Sequence, residues 1–203
     1  SINYEHIDQP SNEIDEILDS LNDLVKAGKI RYIGLSNETP WGTMKFLHHS
    51  NISSVPRVQS IQNAYNLLNR TFEIGGSEIA HREDVGLLAY SPLAQGYLTG
   101  KYQNGKLPKG SRKELFNRLQ RYEGPYAEEA IEDYLSIAKK YNIDPSQLAN
   151  QFVTTRPFVT SNIIGATNMK QLKLAVTSIE INLTKEIENE IEKAFQKHGN
   201  VAS

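Results

Sequence analysis

Between Ser11 and Lys29 the apolar residues Ile14, Ile17, Leu18, Leu21, Leu24 and Val25 recur three and four apart, which places them on one face of a helix. Ser11-Asn12 offers an N-cap, and Lys26, Gly28 and Lys29 supply closing cations and a stop. The spacing predicts an amphipathic helix over roughly residues 12 to 28. A short apolar run, Arg31 to Leu35, follows and ends in Ser36-Asn37. The alternation then repeats, with helix from Pro40 to about His48-His49, strand over Val58 to Gln62, helix over Thr71 to Arg82 and strand over Leu87 to Tyr90. Beyond it come helices Tyr126 to Tyr141 and Pro145 to Thr155, strand Ser161 to Gly165, and helices Met169 to Ser178 and Glu186 to Lys197. Residues 102 to 125 break the rhythm as a basic excursion whose turns are marked by Asn104-Gly105, Pro108 and Gly110.

Four short strands separated by helices call for an α/β fold, a parallel sheet with helical crossovers. Each strand ends in small or polar residues: Ser36-Asn37, Gln62-Asn63, Ser91, Ala166-Thr167. In a parallel sheet or a (β/α) barrel such ends share one face, where ligands bind. The most informative stretch is Leu87 to Tyr102, LLAYSPLAQGYLTGKY. Pro92 cannot donate to a ladder and disfavours helix at Ser91, so the strand stops there. An aromatic ring, a hydroxyl, backbone amides beside Gly96 and Gly100, and then the cation of Lys101 have the parts of a cofactor-phosphate site.

The chain has 203 residues, 38% hydrophobic and 23% charged, which suits a globular protein with one full core, read here as a single domain over residues 1–203. A formal net charge of −2 gives no reason to expect nucleic acid or an anionic membrane as partner. No apolar run approaches the ~18 residues of a membrane span, and Ser1 to His6 lacks the regions of a signal peptide, so a cytoplasmic setting is expected. Without cysteine there is no disulfide, thiolate metal site or cysteine nucleophile. The five histidines lack the spacing of a metal site, so no metal is expected. Gly96 to Lys101 is not a P-loop, because three residues separate its glycines where that motif needs four.

Four segments, AGKIRYIGLSNETPWG (27–42), SIQNAYNLLNRTFEIG (60–75), the Leu87 stretch and RPFVTSNIIGATNMKQL (156–172), together resemble the aldo-keto reductases, in particular the bacterial Tas-like branch. The resemblance implies a (β/α)8 TIM-type barrel, present here as a C-terminal portion of about four βα units. It also implies NADPH lying across the C-terminal ends of the strands, and transfer of its hydride to an aldehyde or ketone.

Carried over by position, Ser36, Asn37 and Gln62 would hold the nicotinamide carboxamide, and Tyr90 would stack on its ring. Ser91, Leu93 and Gly96 would line the pyrophosphate, Lys101 and Arg112 the adenosine phosphates, and Gly165, Thr167 and Gln171 the adenine. Lys and Arg suit a phosphate as a mobile point charge and a bidentate fork. Leu174 and Ala175 stand where relatives carry polar adenine contacts.

Nothing matches the family's catalytic Asp, Tyr and Lys, which belong to the first three strands; His6 is placed as its catalytic histidine. The expectation is a reductase fragment, inactive alone, whose partners are a small carbonyl substrate and either an N-terminal part or a second copy across open sheet edges. The competing expectation is a non-catalytic partial barrel serving as a nicotinamide-binding or interaction module.

Overall fold

A computed structural model describes residues 10–53, 55–116 and 120–202, with backbone only for 10–13. Helix α1 (Pro10–Lys26) leads into strand β1 (Ile33–Ser36), α2 (Pro40–Ile52), β2 (Val58–Ala64), α3 (Gly76–Glu83) and β3 (Gly86–Tyr90). The excursion carries α4 (Arg112–Phe116), and then α5 (Ala127–Lys140), α6 (Pro145–Thr154), β4 (Val159–Ile163), α7 (Met169–Thr177) and α8 (Lys185–His198) follow. The four strands form one parallel sheet in the order β1-β2-β3-β4, as the alternation of strand and helix requires.

Helix starts follow their capping chemistry. The Thr39 hydroxyl accepts from Gly42 N at 3.0 Å ahead of Pro40, and the Asp144 carboxylate accepts from Ser146 N at 2.8 Å ahead of Pro145. The helix expected over Thr71 to Arg82 is divided. A 3-10 turn occupies Thr71–Glu73, and Gly75 at φ +86° separates it from α3, because a left-handed residue cannot continue a helix.

The last strand also differs from its expected span, lying two residues earlier. Leu87 N donates to Phe158 O at 2.9 Å, and Ile163 is the register partner of Tyr90, the last residue of β3. Past Tyr90 the neighbouring chain turns away at Ser91 (φ 57°), so Ile164 and Gly165 have no strand to pair with. Gly86 permits the close approach at the other end, since a Cβ there would lie 1.7 Å from Thr160 Oγ1.

The two faces of the sheet differ in kind. Ile33, Val58, Ile61, Leu87 and Ala89 are buried beneath the helices together with Leu47, Leu148 and Phe152. Register alternation sends Gly34, Ser36, Ser60, Gln62, Leu88, Tyr90, Ser161 and Ile163 to the opposite face, where each is half-buried or exposed. Hydrophobic burial on one face fixes the register, because a one-residue slip would exchange the faces.

A buried arginine ties the C-terminal helix to the rest. Arg70 donates to both oxygens of Glu73 and, at 3.0 Å, to Glu192 on α8, and it lies 3.9 Å from the Phe195 ring centroid. These partners offset the cost of burying the guanidinium. No helix among the described residues is long and apolar enough to cross a membrane.

Candidate functional site

The C-terminal rim of the sheet assembles residues far apart in the chain. Ser36 and Gln62 are register partners, and the next residue, Asn37, extends the ladder by donating its backbone N–H to Gln62 O at 2.9 Å. Gln62 in turn faces Leu88, and Leu88 faces Ser161, so one lateral row of the second face of the sheet reads Ser36, Gln62, Leu88, Ser161. The row beyond it is Ala64, Tyr90, Ile163. Asn37 sits at φ 54°, a conformation asparagine tolerates better than most residues. From there its Oδ1 accepts the Tyr90 hydroxyl proton at 2.7 Å.

After Tyr90 the backbone is wound into an unusual run. Ser91, Ala94, Gln95 and Gly96 all have positive φ, at 57°, 47°, 57° and 103°. For the three non-glycine residues this conformation costs about 1 kcal/mol or more each. The run is held by Ala94 N to Ser91 O (2.9 Å), Gly96 N to Leu93 O (2.8 Å) and Leu98 N to Leu93 O (3.3 Å). Strain of this kind persists where surrounding structure over-determines it, and it clusters at ligand clamps.

Lys101 lies directly across this run. A Cβ added to Gly96 would come within 2.7 Å of Lys101 Cε, so the end of the lysine side chain would have to move aside for one. Lys101 Nζ is 5.0 Å from the Tyr102 ring centroid, a cation–π contact. Gly96 and Lys101, paired only by order in the sequence, are therefore in contact. Arg112 opens α4, is exposed, and makes no ion pair among the described residues. On the far rim, Gly165, Thr167 and Gln171 form an exposed turn in which Gln171 Oε1 accepts from Thr167 N (2.8 Å) and Thr167 Oγ1 (3.0 Å). No hydrogen bond among the described residues joins this turn to Lys101 or Arg112. His6, the expected catalytic histidine, lies outside the described residues.

Three residues at the rim have no site role in the sequence reading, although Asn63 is named there as a strand end. Asn63 clasps the backbone of Glu38, accepting from its N–H at 3.2 Å and donating to its C=O at 2.9 Å, which fixes the β1–α2 loop to β2. Asn66, fully buried, accepts from Leu68 N and Asn69 N and donates to Ser91 O and Tyr122 Oη, the last two at 3.0 Å. Arg121 reaches back from the excursion to donate to the Tyr90 hydroxyl at 3.4 Å. That contact holds the guanidinium pKa above its ordinary value, against opposing desolvation. Asn63 lies near the end of β2 and Asn66 just beyond it, in polar positions that periodicity leaves without a role. Arg121 sits among several basic residues, with nothing local to distinguish it.

A one-faced parallel sheet with its polar side chains gathered at the strand C-termini is the ligand-binding end of a βα-barrel type of protein. Comparison with known proteins agrees with this architecture. Residues 2–196 match the model of the Aldo/keto reductase family, and the chain belongs to that family. It is 46% identical over 187 residues to Protein tas of Escherichia coli K12, covering 92% of this chain and 54% of that protein. It is 39% identical over 199 residues to an aldo-keto reductase of Babesia bovis, covering 94% and 70% respectively. The identity to L-glyceraldehyde 3-phosphate reductase of Escherichia coli K12 is 32% over 187 residues, covering 89% and 53%. The chain is thus of the Tas-like branch, and it spans about half the length of the Tas proteins it matches.

The family uses a nicotinamide cofactor, and the rim offers the donor set such a group needs. Amide and hydroxyl groups stand side by side at Ser36, Asn37 and Gln62, an aromatic ring stands in the next row at Tyr90, and a cation crosses a wound backbone at Lys101.

Proposed function

We propose that this chain carries the cofactor side of an NADPH-dependent reductase that converts aldehydes or ketones to alcohols. The observation that carries the reading is the register pairing of Ser36 with Gln62, with Asn37 bonded to both Gln62 and Tyr90. A carboxamide presents one donor and one acceptor edge, and Ser, Asn and Gln side chains can satisfy both. With the amide so fixed, Tyr90 would stack on the nicotinamide ring and leave the opposite face for the carbonyl carbon. The bound cofactor supplies the hydride; this chain's residues bind the ring, orient it and neutralise phosphate charge.

Lys101 and Arg112 serve the phosphates, and exposed Arg112, which makes no ion pair among the described residues, suits a 2′-phosphate. The proton that completes the alcohol comes from an acid outside the rim described above, with His6 as the candidate catalytic histidine. The test is turnover: the native protein should oxidise NADPH in the presence of a small aldehyde, and do so faster than NADH. A second reading, a nicotinamide-binding or interaction module without turnover, is favoured by the partly exposed second face of the sheet. It predicts NADPH binding with no aldehyde-dependent oxidation.

A further inference from the structure

Behind the rim, on the helix side of the sheet, a cavity of about 400 Å³ opens between α2 and α3. Its lining includes the apolar residues Ile61, Phe72, Ile79, Ala80 and Val85, four of them buried, beside the buried polar residues Thr43 and Asn69. Its mouth is polar, formed by Asn37, Tyr90 and Arg121. That volume lies within the roughly 300–1,000 Å³ of small-molecule pockets, and apolar residues with a few convergent polar groups are their usual composition.

The lining carries one charge of each sign, and its Arg121 end suits an anion. Glu38, the one carboxylate among the described residues of the lining, is engaged by Thr39, accepting from its N–H at 2.7 Å and its hydroxyl at 3.2 Å. Arg121, the one cation among the described residues of the lining, bonds only phenol oxygens among those residues. By contrast Arg57, Arg70, Arg82 and Arg156 are each paired with a glutamate. An exposed guanidinium with spare donors, beside a partly apolar cavity, matches a carboxylate carried on an apolar body.

We propose that this cavity binds a small monocarboxylate with an aromatic or branched apolar body, the carboxylate on Arg121 and the body between α2 and α3. The site goes beyond the cofactor reading and lies across the sheet from the Ser36–Gln62 row. Because Tyr90 and Asn37 border both places, occupancy of the cavity bears on the nicotinamide corner.

The test is calorimetric titration of the native protein, without cofactor, using phenylacetate and its uncharged counterpart phenylacetamide. The expected result is phenylacetate binding at least about tenfold tighter than phenylacetamide, the ratio a charge-assisted bidentate contact supports. Arg121→Gln, an exposed substitution that leaves the core untouched, should reduce that ratio to about one. Ala80→Leu, which fills the cavity, should remove binding of both compounds. Equal affinity for acid and amide, no phenylacetate binding at millimolar concentration, or undiminished binding in either variant would overturn the proposal. None of these outcomes depends on whether NADPH binds, so failure here and failure of the cofactor reading are distinct results.

Discussion

The Tyr90 hydroxyl donates to Asn37 Oδ1 at 2.7 Å, joining the ends of β3 and β1 across the intervening strand. Two side chains that the cofactor reading assigns to ring and carboxamide thus orient each other. Tyr90→Phe keeps the ring and removes the bond. The bond is solvent-exposed, so stability should change by less than about 1 kcal/mol. NADPH affinity should fall about threefold for Phe and at least about tenfold for Tyr90→Ala, where the stacking surface goes too. Fluorescence titration and a urea melt on each variant check the two halves separately.

Arg112→Ala should weaken NADPH by about tenfold or more and NADH by less than about twofold, as loss of a charge-assisted phosphate contact requires. Parallel titrations with both cofactors decide it; equal losses would remove the 2′-phosphate assignment.

Asn66→Ala should destabilise the protein by about 3 kcal/mol, because it strands several buried partners of one amide. Leu68 N, Asn69 N, Ser91 O and the Tyr122 hydroxyl all lose their contact with it. The midpoint of urea unfolding at unchanged slope is the measurement. A loss below about 1 kcal/mol would mean that water replaces the amide at little cost.

Glu123 gives the excursion an acid-sensitive clasp. Lys113 pairs with its carboxylate at 2.5 Å and Tyr97 donates to the same oxygen, and both hold its pKa below the ordinary value of 4.5. A depressed carboxylate contributes stability that is present above its unfolded pKa and lost as pH falls through the folded one. The clasp should therefore be intact at neutral pH and released progressively below about pH 4.5. In Glu123→Gln, amide exchange around Lys113 should lose that dependence on pH. Identical profiles in the two proteins would remove the clasp. The same carboxylate interaction raises the Tyr97 phenol well out of the physiological range, with burial as the larger cause.

Much of this architecture was legible in residue order. Strand-length apolar runs divided by helical spacing gave a parallel sheet, because parallel strands need crossovers. The polar ends Ser36-Asn37, Gln62-Asn63 and Ser91 fell together on one rim for the same reason. What could not be read was set by contacts distant in sequence. Periodicity places β4 near Ile163 but cannot show that β3 ends opposite it, so the span was displaced by two residues. The Thr71 to Arg82 helix was divided by the left-handed Gly75, a conformation its neighbours impose. Arg121 meets Tyr90 only because the excursion folds back over the rim, and Asn66 is a hub only because Tyr122 comes with it. Side chains that act through such returns carry no local signature.

The most direct test is the NADPH dissociation constant of the native protein beside that of Gln62→Ala. Gln62 lies in register with Ser36 and Leu88 and accepts the Asn37 N–H only through its backbone, so truncating its side chain leaves the ladder intact. The account predicts NADPH binding by the native protein and a loss of about tenfold in the variant, with unfolding unchanged, as for one lost polar contact to a desolvated amide. Equal affinity in both proteins, or no NADPH binding by the native protein, would contradict it.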